Sequence, residues 1–228
     1  AIYPKAYSPQ PRGPITTTMQ QHNKTKPKPS PYAELHCISN YSFLRGASHP
    51  EELVKQASAL GYRAIAMTDE CSVAGVVKAH VAAKGVGIKL IVGSEFHFDE
   101  DVHLIVLAPN RVGYGQLCHL ITVARRRAEK GSYQVRLKDL HYGMDQCLAI
   151  WLPGESTQEA KLGETLQGIF GNRLWLGIEI FPDGQEIAAY QQAFDLHQGL
   201  HINMVAMGDV HMHRPERKAL QDVLSAIR

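Results

Sequence analysis

The stretch RAIAMTDECSVAGVVKAHVAAKG, Arg63 to Gly85, decides the fold. Arg63 to Thr68 is a short, mostly apolar run of the kind that fills a buried strand. The polar triplet Thr68-Asp69-Glu70 ends that run. From Val73 to Lys84 small and apolar residues recur in a helical pattern, and Gly85 offers a stop. Strand, polar turn and helix in that order make the repeating unit of an α/β protein, whose chemistry gathers where strands end.

The same unit recurs on both sides. Upstream, Ala33 to Ile38 reads as a strand, and Ser48-His49-Pro50-Glu51 reads as a capping box with proline inside the first turn. The helix it opens places Leu53, Ala57 and Leu60 on one face and stops at Gly61. Downstream, strands are expected at Ile88–Val92, His103–Leu107, Cys147–Leu152, Leu174–Phe181 and Met204–Met207. Leu117, Leu120, Ile121 and Ala124 mark a helix; others are expected near 156–170 and 184–199, and a last one is entered at Pro215. This density of alternation predicts a parallel sheet wrapped by helices. No Gly-rich phosphate loop of either standard type follows a strand, which argues against a P-loop or dinucleotide-binding enzyme.

Composition narrows the class. Of 228 residues, 44% are hydrophobic and 20% charged, enough to bury a real core. No apolar run is long enough to span a bilayer, and the opening AIYPKAYSPQ has no signal-peptide pattern. Cys37, Cys71, Cys118 and Cys147 fall singly, so a reduced, cytoplasmic setting is expected, without disulfides or a zinc ribbon. Residues 1–31 hold seven of the twelve prolines, five basic residues and no acid. They are expected to form a disordered arm, with one domain over 32–228. The net charge is +2, and the arm's +5 leaves −3 for that domain.

The strand ends carry His36, then Thr68-Asp69-Glu70, then Gly93-Ser94-Glu95; His103 opens the next strand. Glu179 lies on a late strand, and Asp209-Val210-His211 follows another. Histidines and carboxylates converging at one mouth suit divalent metals, which could activate water for phosphoester hydrolysis. Singly the signals are weak: Asp69 and Asp209 serve equally well as helix N-caps. In Asp209-Val210-His211 the spacing puts both side chains on one face of an extended segment. The other histidines show no partner spacing. Arg125-Arg126-Arg127 with Lys130 complements a helix C-terminus, which accounts for it without DNA contact.

His36, Thr68-Asp69, Gly93-Ser94-Glu95, His103 before Leu-Ile-Val-Leu-Ala, and Asp209-Val210-His211 occur in the order of a known family. The chain from Tyr32 to Arg228 resembles the polymerase and histidinol phosphatase (PHP) domain that opens bacterial DNA polymerase III alpha subunits. SNYSFLRGASHPEEL at 39–53, the run at 68–84, and GDVHMHRPERKALQDVLSAIR at 208–228 are similar to its error-prone, damage-induced branch. The resemblance implies a distorted seven-stranded α/β barrel with a metal cluster at its mouth, which in active members hydrolyses phosphoesters. It implies a fragment of a longer DNA-directed DNA polymerase, acting in translesion synthesis and DNA repair. The polymerase domains that bind Mg²⁺ would lie beyond this chain, and Asp99-Glu100-Asp101 reads only as a solvated turn. Implied partners are DNA, those downstream domains, accessory mutagenesis proteins and a sliding clamp, with no membrane.

Departures from the family pattern bear on the metal. The first motif, His-x-His, is His36-Cys37-Ile38 here, and an aliphatic side chain cannot ligate. Thr-Asp-His becomes Thr68-Asp69-Glu70, and Cys147 is off position for a mid-chain ligand and reads as a small buried residue. The remaining expected ligands are His36, Glu95, His103, Asp209 and His211, with Asp69 and Glu70 as doubtful additions. A closed three-metal centre needs about nine protein ligands, so a degenerate site is expected, partly occupied by Zn or Mn, with no catalytic residue and an inactive fragment. The alternative is a free-standing PHP-type metal-dependent phosphoesterase.

Overall fold

The computed structural model of the chain describes residues 32–141, 143–154, 158–179 and 186–228; the expected arm over residues 1–31 lies outside them. Among the described residues, seven strands form one sheet in chain order: β1 (Ala33–Glu34), β2 (Ala64–Met67), β3 (Lys89–Phe98), β4 (Val102–Ala108), β5 (Leu148–Leu152), β6 (Leu174–Glu179) and β7 (Asn203–Met207). Six helices lie between and after them: α1 (Pro50–Ala59), α2 (Val76–Val86), α3 (Arg111–Arg127), α4 (Glu159–Phe170), α5 (Glu186–Leu200) and α6 (Lys218–Ile227).

The sheet is not wholly parallel, which corrects the expectation from alternation alone. β4 runs antiparallel to both β3 and β5. Its reversal follows from the connection: only Asp99, Glu100 and Asp101 separate β3 from β4, and so short a link joins only antiparallel strands. That triplet is a turn, as expected, with Asp101 left-handed at φ 60°. The sheet curls until its ends meet. Ile38 N donates to Val210 O at 3.0 Å and Val210 N to His36 O at 2.9 Å, so the segments after β1 and β7 close the barrel.

Period-two alternation divides the core. Along β4, Ile105 and Leu107 face the barrel interior with Ala66, Ile150, Leu152 and Met207. Leu104 and Val106 face outward against Leu117, Leu120, Trp151 and Leu166. Both faces are covered, which is why these strands read as nearly continuous apolar runs. A separate cluster packs Leu53, Val54 and Ala57 of α1 and Ala79 and Ala83 of α2 on Ile65 and Met67.

Boundaries moved for local reasons. The capping box of α1 uses His49 and Glu52 and not Ser48 and Glu51: Glu52 Oε2 accepts from His49 N at 2.9 Å. Ser48 Oγ instead accepts from His213 N at 3.0 Å. Leu60 lies past the helix and is 49% exposed. α2 begins at Val76, after a turn that places Gly75 at its N-cap, and it ends at left-handed Gly87, beyond Gly85.

Candidate metal centre

His36 leaves β1 pointing into the barrel mouth, and it is 1% exposed. A buried carboxylate beneath it sets its backbone. Glu34 Oε1 accepts from His36 N at 2.9 Å and from Gly208 N at 3.0 Å, while Oε2 accepts from Tyr32 Oη at 2.9 Å. Glu34 thereby ties the segment bearing His36 to the segment bearing Asp209. On the opposite wall, Glu95 and His97 share one face of β3, and His103 stands opposite His97 on β4. The two imidazoles stack with centroids 4.1 Å apart.

These side chains converge. His36 Nδ1 lies 2.5 Å from Glu179 Oε1, and its Nε2 lies 3.6 Å from both Glu95 Oε2 and Asp209 Oδ1. His103 Nε2 lies 2.7 Å from Glu95 Oε1, and His97 Nε2 is 2.9 Å from that same oxygen. Among the described residues, two groups bring three ligand atoms within 4.8 Å of one another: His36, Glu95 and His103, and His36, Glu179 and Asp209. The residues fit a divalent ion on a second count. His36 Nε2 and His103 Nε2 are buried without a hydrogen-bond partner, the contact of His103 with Glu95 being close but not in hydrogen-bonding geometry. Orphaned buried nitrogens beside carboxylates are what a cation would satisfy.

The electrostatics agree. Burial disfavours the charged form of His36, but the hydrogen bond to Glu179 and the nearby carboxylates of Glu179 and Glu95 outweigh it and push the imidazole up to about 10. Glu95 is fully buried, which alone would raise its pKa; the close imidazoles of His103, His36 and His97 and the charge of Arg45 hold it far below the usual carboxylate range. Asp209 is likewise lowered against its own burial, by His211 and His36.

Of the expected ligands, His36, Glu95, His103 and Asp209 belong to these groups. His211 stands one step out, its Nε2 on Asp209 Oδ1 at 2.9 Å and its Nδ1 facing Gln221 at 3.3 Å. Asp209 and His211 meet through a left-handed Asp209 (φ 44°), not through an extended segment as the spacing suggested. Asp69 is committed elsewhere: it accepts from Ser39 N at 2.7 Å and from the hydroxyls of Ser39 and Ser42. It caps no helix, since the N-cap of α2 is Gly75, and burial raises its pKa despite those bonds. Glu70 is taken by Arg45 and by Tyr133 Oη at 3.0 Å. Cys147 is buried, with Sγ donating to Gly113 O at 3.3 Å, and Ile38 is wholly buried.

Two members carry no expectation from the sequence, and a third, Glu179, is named there on its strand but stands outside the expected ligands, because nothing in the sequence pairs it with a residue 143 positions away. His97 was passed over, although its period-two spacing from Glu95 was a usable signal. Arg45, from the loop before α1, carried none. The triple-arginine segment is more tightly tied than a solvated helix end: Arg125 donates to the carbonyls of Cys71 and Glu70, and Arg127 makes a two-pronged pair with Asp139, while Arg126 is exposed.

Residues 34–169 match the PHP domain model. The chain belongs to the PHP family. Curated relatives of this PHP chain are named error-prone DNA polymerase. The one from Methylococcus capsulatus is 50% identical over 198 residues, 86% of this chain and 19% of that protein. The one from Dechloromonas aromatica is 50% identical over 205 residues, 86% of this chain and 20% of that protein. The chain thus spans about a fifth of the length of these relatives. Among solved structures, a Bifidobacterium adolescentis protein described as a metal-dependent phosphoesterase superposes with a TM-score of 0.60 at 14% identity, covering 82% of this chain and 90% of that one. A Chromobacterium violaceum amidohydrolase, with bound sulfate and no metal, gives 0.56 at 16% identity, covering 79% of this chain and 87% of that one. At such identities the likeness concerns the fold: a seven-stranded, nearly closed barrel. No helix among the described residues is long and apolar enough to cross a membrane.

Proposed function

We propose that this PHP chain is the N-terminal region of an error-prone DNA polymerase of the bacterial DNA polymerase III alpha-subunit class. Its metal centre would be reduced to a structural role. The observation that carries the first half is 50% identity across 86% of the chain to proteins bearing that name. As part of such a polymerase it would act in translesion synthesis and DNA repair in the cytoplasm, with DNA, the downstream domains, a sliding clamp and accessory mutagenesis proteins as partners. Mg²⁺ would be held by polymerase domains outside this chain.

The second half rests on ligand count. His36, Glu95 and His103, or His36, Glu179 and Asp209, would hold a divalent ion, with Zn or Mn suited to the mixed nitrogen and oxygen donors. Both groups need His36, so filling both asks one imidazole to serve two ions. With Ile38 at a ligand position and Asp69 and Glu70 engaged elsewhere, the donors fall short of the about nine that a closed three-ion hydrolytic centre requires. Bound, the ion would supply Lewis acidity. What the residues themselves do is orient His36 through Glu34 and Glu179 and balance buried charge.

The test is elemental analysis of the purified chain after dialysis, with nitrophenyl-phosphate and single-stranded DNA digestion assays in Zn²⁺, Mn²⁺ and Mg²⁺. Fewer than three ions and no turnover above background are expected. Three tightly held ions, or turnover abolished by His211→Ala, would favour the free-standing phosphoesterase. The reading frame after Arg228 tests the polymerase half: a long continuation with acidic polymerase motifs is expected.

A further inference from the structure

Arg45 does not lie near the metal centre by accident of a flexible side chain; its loop is built to put it there. Between β1 and α1 the chain folds back over the mouth. Asp69 gathers Ser39 N, Ser39 Oγ and Ser42 Oγ, Leu44 is left-handed at φ 60°, and Arg45 N donates to Ser42 O at 3.0 Å. Gly46 passes so close that a Cβ would stand 2.0 Å from Ser39 O. Ala47 N then donates to His211 O at 2.8 Å, pinning the far end of the loop to the segment after β7. The Arg45 side chain enters from this fixed base and is 10% exposed.

Its guanidinium meets two carboxylates at once. Nη1 donates to Glu95 Oε2 at 2.8 Å and to Glu70 Oε2 at 2.9 Å, and Nη2 donates to Glu95 Oε1 at 3.1 Å. Glu70, just past the end of β2, and Glu95, within β3, are neighbours across a parallel bridge, and their carboxylates converge on one guanidinium. Two acidic groups aimed at one point are an arrangement that oxygen-ligated divalent ions use. Here that point is filled by a covalently attached monovalent cation whose planar fork engages both oxygens of Glu95.

We infer that Arg45 is a resident counter-cation that takes the place of a metal ion between Glu70 and Glu95, and so lowers by one the number of ions this PHP barrel can hold. A guanidinium cannot give up its proton at accessible pH and cannot act as a Lewis acid. It therefore satisfies the buried Glu95 and the half-buried Glu70 permanently without offering hydrolytic chemistry. The consequence is a mouth with two unequal halves. The half around Glu70 is closed by Arg45, and the half around Glu179 and Asp209 remains open to an exchangeable ion. This inference builds on the metal centre proposed above, but it stands on the Arg45 contacts and can fail separately.

The experiment is a count of Mn²⁺ per chain, by calorimetry and by elemental analysis after dialysis against Mn²⁺, for the full 228-residue chain and two variants. Arg45→Gln, which removes the charge, is expected to bind one ion more than the wild type. Arg45→Lys, which keeps the charge, is expected to match the wild type. Arg45→Gln that is folded by circular dichroism yet binds no additional ion overturns the inference. A wild type that binds none while Arg45→Gln binds one supports it and refutes the His36-centred site instead. If Arg45→Gln does not fold, anomalous diffraction from wild-type crystals soaked in Mn²⁺ decides. Density between Glu70 and Glu95 with Arg45 displaced overturns the inference, and no ion at that position supports it.

Discussion

His36 Nδ1 lies 2.5 Å from Glu179 Oε1, joining residues 143 positions apart across the barrel mouth. The contact orients the imidazole and leaves Nε2 facing Glu95 and Asp209. Partners of this kind typically account for 10- to 100-fold in metal affinity. Glu179→Ala is therefore expected to weaken divalent-ion binding by about 10-fold or more. It should also bring His36 down from about 10 towards its ordinary 6.5. Calorimetric titration with Mn²⁺ and the pH dependence of the His36 ring shifts by NMR would report both, and an unmoved midpoint would show that Glu179 is a bystander.

The raised value of His36 sets a pH dependence for the metal-free chain. Its folded pKa, about 10, lies above the 6.5 of the unfolded chain, so the folded state binds the proton more tightly. The associated stability is complete below about pH 6.5 and is lost as pH climbs through about 10. Thermal unfolding in chelator should thus show a midpoint falling from pH 7 to pH 10. His36→Gln, which leaves the carboxylates without their cation, is expected to be less stable at pH 7 and flatter across that range. Divalent ions would reverse the trend, because ligation needs the deprotonated ring and metal uptake strengthens with pH.

Ile38, two residues after His36, is wholly buried. Its backbone N–H closes the barrel on Val210 O. Truncation there removes packing at the seam between the ends of the sheet. Ile38→Ala should cost on the order of 2–4 kcal/mol, read from chemical denaturation. A change within roughly 0.5 kcal/mol, the scale of surface positions, would contradict the burial.

Legibility in the sequence followed the range of the interactions. The run from Arg63 to Gly85 announced its strand and helix because apolar spacing is a local property, and all seven strands of the sheet had been expected near their observed places. The direction of β4 was missed because alternation predicts elements, not their sense; the three residues Asp99 to Asp101 carried the decisive information in the brevity of the link. At the site, His36, Glu95, His103 and Asp209 were legible through strand-end position and family order. Glu70 and Asp69 were ambiguous because their partners come from elsewhere: Arg45 and Tyr133 for one, Ser39 and Ser42 for the other. Arg45 could not have been read at all, since its role depends on a loop path that no periodicity encodes.

That loop path gives the last prediction, through two glycines with opposite surroundings. At Gly46 a Cβ would stand 2.0 Å from Ser39 O, 2.2 Å from Ser39 C and 2.9 Å from Asn40 N, all backbone atoms. Ser39 cannot retreat without breaking its bonds to Asp69. Gly46 is not at positive φ, so close approach alone excludes a side chain. Gly46→Ala should then force the loop open, cost about 3 kcal/mol, and move the Arg45 fork off Glu95. At Gly85, inside α2, an added Cβ meets nothing within 4 Å. Gly85→Ala should stabilise the chain by about 0.5–1 kcal/mol, the usual helix-interior difference. Paired denaturation curves on the two variants separate a steric requirement from a general glycine effect. If Gly46→Ala proves as harmless as Gly85→Ala, the loop is free to rearrange and Arg45 is not held in place by it.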